Sequence, residues 1–230
     1  MQTRRFAVLF ALSGLTACSA MASSAKLPDP AYDAPKAAAH GTETAVLAGG
    51  CFWGMQSVFE HVRGVKQVWA GYSGGLANTA HYEDVSQGNT RHAESVKINF
   101  DPAVISYGEL LKVYFAVAHD PTTYYRQGPD VGSQYRSEIF YASPEQEKIA
   151  QSYIAQLTAA KTFDASIVTQ VEPLKTFYPA EYYHQDYARI HPHDPYIVIN
   201  DAPKVEALKQ QFPALYKPYP PEQTVVDVQL

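Results

Sequence analysis

A chain of 230 residues with 46% hydrophobic content can bury a full core, and its length favours one domain over two. Its formal net charge of −5 removes any electrostatic case for nucleic acid. Past the N-terminal residues no apolar run is long enough to cross a bilayer.

The first residues read as an export signal. Arg4 and Arg5 form a positive region, Phe6 to Leu12 an apolar one, and Leu15-Thr16-Ala17-Cys18 ends it with small residues before a cysteine. This resembles a bacterial lipoprotein signal, in which residues 1–17 are removed and Cys18 carries the lipid. Ala20-Met21-Ala22 is a competing cleavage site, and Arg4-Arg5-Phe6 is faintly similar to a twin-arginine signal. Either route implies the periplasm or cell envelope, with membrane contact only through the lipid. Residues 18–42, rich in Ala, Pro and Ser without a period, read as a tether. Residues 43–218 read as the folded domain and 219–230 as a tail.

Thr44 to Ala48 is expected as a first strand and Phe52 to Arg63 as a helix, with Gly64 placed to end it. Val65 to Tyr72 and Glu94 to Phe100 follow as strands. Ser106 and Glu109 form a capping box opening a helix through Val117. Arg136 to Tyr141 completes the order β-α-β-β-α-β, which predicts a ferredoxin-like core. A further helix, capped by Ser143, runs to Ala160, and Ile167 to Val171 adds a strand. The expected fold is thus an α/β (α+β) two-layer sandwich with a mixed sheet, an extra helix and strand, and a loop-rich C-terminal part. That part contains a short helix from Pro203 to Gln211.

Between the first strand and helix lies Gly49-Gly50-Cys51-Phe52-Trp53-Gly54. A cysteine at a helix N-terminus meets unpaired N–H groups and the positive end of the helix dipole, which favour a thiolate. Phe52 and Trp53 offer an apolar rim. A phosphate loop is excluded, because Gly54-Met55-Gln56 stands where Gly-Lys-Ser/Thr is required. With two cysteines in the chain, one of them in the signal region, Cys51 has no internal disulfide partner if Cys18 is lipidated or removed. The alternative is an inert buried thiol.

On the third strand Glu94 shares its parity with Val96, Ile98 and Phe100, which aims a carboxyl at the core side, where it should stay protonated to higher pH; the alternative is a strand-end glutamate that frays into solvent. Tyr82 and Tyr135 are uncharged donors in polar segments, and the loop from His119 to Arg136 is dense in donors and acceptors. His184, His191 and His193 lack a recognised ligand spacing, so no metal is expected. A Cys–His hydrolase pairing Cys51 with His119 or His184 stays open on chemistry alone.

Seven ordered motifs, GGCFWG, GYSGG, Tyr82-Glu83, His92-Ala93-Glu94, His119-Asp120-Pro121-Thr122-Thr123, RQGPDVGSQYRS and Ala180-Glu181-Tyr182-Tyr183-His184-Gln185, together resemble the peptide methionine sulfoxide reductase A family. The resemblance implies reduction of the S-epimer of methionine sulfoxide, free or in peptides. It makes Cys51 the nucleophile, Phe52 and Trp53 the pocket for the substrate methyl, and Glu94 the proton donor. Tyr82 and Tyr135 would bind the sulfoxide oxygen, and Asp130 would orient the site through water. Family members often carry resolving cysteines near the C-terminus or in the loop after Tyr82. Here Pro213 to Leu230 has none, and Ser86 stands in that loop. The chain therefore resembles the single-cysteine branch: no bound cofactor, and an external thiol reductant, thioredoxin-like, glutaredoxin-like or small. Its partners would be oxidised methionine-containing proteins or peptides, met as a monomer. The rival to catalysis is a methionine-binding module that kept the fold and lost the chemistry.

Overall fold

The computed structural model describes residues 27–219. The signal region, Cys18 and the last part of the tail lie outside the described residues.

Strand β1 (Glu43–Gly49) leads into helix α1 (Phe52–Glu60), then β2 (Val65–Ser73), α2 (Tyr82–Val85) and β3 (Ala93–Phe100). Helix α3 (Tyr107–Val113) continues as a π-helical stretch to Ala118. A hairpin of β4 (Arg126–Gln127) and β5 (Asp130–Val131) precedes β6 (Ser137–Tyr141), α4 (Pro144–Ala159), β7 (Gln170–Pro173) and β8 (Phe177–Pro179). Helix α5 (Tyr187–Ile190), a second π stretch (Ile197–Asp201) and α6 (Ala202–Gln211) follow. The main sheet has the order β7-β6-β1-β3-β2-β8. Its centre, β6-β1-β3-β2, is antiparallel throughout and has the ferredoxin-like order; β7 joins β6 in parallel.

One face of the sheet carries the core. Ala45, Leu47, Val96, Ile98 and Phe100 meet Met55, Val58 and Phe59 of α1, Leu110 and Leu111 of α3, and Tyr153 and Leu157 of α4. The other face holds a small cluster of Val46, Ala48, Ala93 and Phe140. Period-two alternation therefore sends β1 and β3 side chains into two unequal layers. Both expected caps form: Ser106 and Glu109 close a reciprocal capping box on α3, and Ser143 accepts from Gln146 N–H on α4. Gly64 takes a positive φ of 88°, where a side chain would be strained and would strike Ile105.

Three expectations are corrected. Helix α1 ends at Glu60 rather than Arg63, because the chain turns early to join Val62 to Tyr216. Strand β7 begins at Gln170 rather than Ile167, since Val168 N–H is taken by Pro121 O and the Thr169 hydroxyl by Ser137. The third concerns the tether, whose second half is docked. Leu27 is buried, Pro28 O accepts from the Tyr153 hydroxyl, Asp29 pairs with Lys112, and Lys148 lies over the Tyr32 ring. Asp33 accepts from Gly108 N–H at 2.9 Å and from the Ser106 hydroxyl, supplying a second acceptor to the start of α3. Gly108 fits this contact because a Cβ there would lie 2.5 Å from the Asp33 carboxyl. A composition poor in periodicity hides such docking, since each contact uses a different element. Asp33→Ala should therefore lower stability by about 1 kcal/mol, the usual worth of a helix-capping acceptor, read by urea unfolding.

Candidate active site

The site forms where β1 turns into α1. Gly50 adopts φ of 94°, and a Cβ on it would strike the Gln127 side chain, so glycine is required for the turn. Cys51 follows as the N-cap residue of α1 and is buried. Glu94 is buried on the core-facing side of β3, and its Oε2 accepts from Phe52 N–H at 3.0 Å. That bond brings a carboxyl to the residue next to the thiol, and burial pushes the Glu94 pKa up to about 8.

The helix start alone does not make Cys51 a thiolate. Burial and the nearby charges of Glu94, Asp201 and Asp130 push the Cys51 thiol well above its ordinary range, and the Trp53 N–H only partly opposes them. A helix dipole is a fraction of a charge, whereas three carboxyls converge here. The resting site thus holds a neutral thiol beside a carboxyl that stays protonated near neutral pH.

Aromatic groups close around this pair. Phe52 is buried rather than at the rim, with ring centroids 5.8 Å from Tyr72 and 5.0 Å from His184. Trp53 stacks on Tyr187 at 3.8 Å, meets Tyr196 edge-on, and donates Nε1–H to His184 Nδ1 at 3.2 Å. Tyr82 sits at the start of α2, where Glu181 accepts from its N–H and from the Tyr72 hydroxyl, each at 2.8 Å. Tyr135 comes from the turn after β5. Burial first, then the charges of Glu94 and Cys51 among others, raise both phenols, so each remains a neutral donor. Asp130 on β5 accepts from the Tyr196 hydroxyl. All seven residues expected in this domain therefore gather at one place.

Tyr187, Tyr196 and Asp201 were missed by the sequence reading. They lie in the loop-rich C-terminal part, where no periodicity announces which side chain turns inward. The Cys–His option has no geometric support. His119 lies under Gly49, donates from Nδ1 to Tyr114 O and accepts at Nε2 from Ser137, and burial depresses its pKa to about 3. His184 is engaged by Trp53. Among the described residues no cluster of three or more His, Cys, Asp or Glu could hold a metal ion.

Residues 43–215 match the family profile described as peptide methionine sulfoxide reductase. The chain belongs to this family. The reductase is 58% identical to peptide methionine sulfoxide reductase MsrA 2 of Mesorhizobium japonicum, over 80% of this chain and 94% of that protein. It is 53% identical to MsrA 2 of Synechocystis, over 81% and 88%. Among solved structures it resembles methionine sulfoxide reductase A of Corynebacterium diphtheriae (34% identity, TM-score 0.58, covering 74% and 88%). It also resembles reduced Mxr1 of Saccharomyces cerevisiae (33%, TM-score 0.59, covering 66% and 87%). The activity of this reductase is that of a peptide-methionine (S)-S-oxide reductase, serving repair of oxidised protein.

Because the folded Glu94 holds its proton to about pH 8 against 4.5 unfolded, its stabilising contribution is complete below 4.5 and is lost as pH rises through 8. Glu94→Gln, which keeps the acceptor for Phe52 N–H, should therefore melt above the wild type near about pH 9 and match it near about pH 5.

Proposed function

We propose that Cys51 attacks the sulfur of the S-epimer of methionine sulfoxide while Glu94 delivers a proton to the sulfoxide oxygen. The reading is carried by one observation: a buried carboxyl with a raised pKa is hydrogen-bonded to the N–H of the residue that follows the thiol. With Oε2 accepting from Phe52, Oε1 is free to carry the acidic proton. A sulfoxide oxygen leaves poorly unless protonated, so a nucleophile and a neutral acid must act together. Tyr82 and Tyr135 donate to the same oxygen without adding charge, and Phe52 and Trp53 hold the methyl. Asp130, oriented by Tyr196, aligns the site through water.

Net, oxygen passes from methionine to Cys51: the sulfoxide becomes a thioether and the thiol a sulfenic acid. The proton lost from the thiol balances the one Glu94 gives. Since the only other cysteine is Cys18, the sulfenic acid is reduced by an external thiol, first as a mixed disulfide with loss of water and then by a second thiol. A thioredoxin-like protein, a glutaredoxin-like protein or a small thiol can each fill that role. We also propose that the enzyme is exported, anchored by lipid at Cys18, and acts as a monomer on oxidised envelope proteins. The pattern Arg4-Arg5 to Cys18 supports export, and the gathering of the site residues from one chain supports the monomer.

Cys51→Ser should abolish turnover of a chiral sulfoxide with every reductant; retained activity would sink the mechanism. Glu94→Gln should cut kcat by roughly 10²-fold or more with little change in KM. Wild-type kcat should fall as pH rises through about 8, where Glu94 loses its proton. After one turnover without reductant, a sulfenic acid should be trappable on Cys51, and peptide mapping should find no Cys18–Cys51 disulfide. Comparing dithiothreitol, glutathione and a thioredoxin-type protein identifies the reductant class.

A further inference from the structure

The three carboxyls that act on the Cys51 sulfur are not equivalent. Glu94 and Asp130 have hydrogen-bond partners within the site, Phe52 N–H and the Tyr196 hydroxyl. Asp201 arrives from the opposite direction, out of the π stretch before α6. It lies inside a continuous helical run, where the π stretch passes into α6 and the Ala202 N–H is already taken by Ile197 O, and its side chain makes no capping bond. Its carboxylate is instead turned under the first turn of α1. A Cβ added to Gly54 would stand 2.1 Å from Asp201 Oδ1 and 2.9 Å from Lys204 Nζ, so the helix that presents Cys51 has a glycine where the carboxylate needs room.

Asp201 is fully buried, and its Oδ1 meets the Lys204 ammonium at 3.1 Å. Its Oδ2 has no hydrogen-bond partner among the described residues. A buried carboxylate with one oxygen ion-paired and the other bare is costly, and in a low-dielectric interior its field reaches its neighbours. Burial raises the Asp201 carboxyl above its ordinary range, and the charge and hydrogen bond of Lys204 partly oppose that rise. The Lys204 ammonium reaches Oδ1 alone, and Oδ2 keeps no hydrogen-bond donor.

We propose that Asp201, held by Lys204 beneath the first turn of α1, is a positioning residue that keeps Cys51 a neutral thiol until substrate enters. The proposal rests on Cys51 being the nucleophile. Thiolates, not thiols, attack the peroxide oxygen, with hydroxide leaving, which would convert Cys51 to sulfenic acid with no methionine repaired. A chain that relies on an outside thiol for recovery gains from such a guard. The other groups facing Cys51 are Glu94 from β3, Asp130 from β5, Tyr82 from α2, Tyr135 from the turn after β5, Tyr187 from α5, and Tyr196. Asp201 itself faces Lys204, Asp130, Tyr196 and Cys51.

The test is the pH profile of iodoacetamide alkylation at Cys51 in the full chain, read from the Cys51 peptide by mass spectrometry. Asp201→Asn, which preserves shape, should move the profile down by about one pH unit, so that alkylation near neutral pH is roughly tenfold faster. Adding Lys204→Met removes the now unopposed cation and should return the profile most of the way to wild type. A loosened fold would instead bring single and double variants alike to the ordinary thiol range near about 8.5. Superimposable wild-type and Asp201→Asn profiles, or a double variant that stays with the single one, would overturn the proposal. The assay reads thiol ionisation whether or not Cys51 is the nucleophile, and the Cys51→Ser turnover assay decides that separately.

Discussion

The hydrogen bond from Phe52 N–H to Glu94 Oε2 fixes the distance between two elements on which everything else in the site depends. β3 sits in the middle of the sheet between β1 and β2, so it cannot shift without breaking two ladders. α1 is locked against the same sheet by Met55, Val58 and Phe59. The bond joins the one polar side chain on the core side of β3 to the first backbone donor after the thiol. It thereby satisfies a helix-end N–H, gives a buried carboxyl one partner, and sets that carboxyl beside the residue that follows the thiol.

Around that bond the Glu94 carboxyl, the Cys51 thiol and the phenols of Tyr82 and Tyr135 are held in their neutral forms. Buried Phe52 and Tyr72 and half-buried Trp53 pack around it, and the low dielectric of such surroundings penalises every charge they enclose. Glu94 keeps its proton for that reason, and Cys51 keeps its own for that reason and because carboxyls surround it. Chemistry then needs no group to be charged beforehand. In the proposed mechanism a sulfoxide supplies the dipole, the carboxyl supplies a proton to its oxygen, and the thiol is activated only as the oxygen leaves. The tyrosines suit this setting because a phenol donates without carrying charge.

The C-terminal third is loop-rich, yet it decides the shape of the site. Glu181 pins Tyr82 and Tyr72, Gln185 pairs with both backbone groups of Ala70 at 3.0 Å, and His184 and Tyr187 hold the Trp53 indole from two sides. These hydrogen bonds and ring contacts join residues about a hundred positions apart or more. The N-terminal segment from Leu27 to Gly41 does similar work on the far side, stitching α3 and α4 to the chain that enters β1. Low regularity in both segments reflects irregular partners rather than weak attachment.

The sequence by itself determined the ferredoxin-like order, both serine caps, the turn at Gly49-Gly50, and the parity that put Glu94 on the core side. Each of these is local: a period of two, a residue three places along, a glycine where the backbone must turn. The seven site residues on motifs were legible for the same reason. Only the tertiary structure decided the protonation state of Cys51, the docking of residues 27–41, and the roles of Tyr187, Tyr196 and Asp201. A helix start taken alone argues for a thiolate, but burial and three carboxyls brought in from β3, β5 and the turn before α6 reverse the sign. Charge and desolvation sum over space and not along the chain, and that sum exists only once the chain has folded.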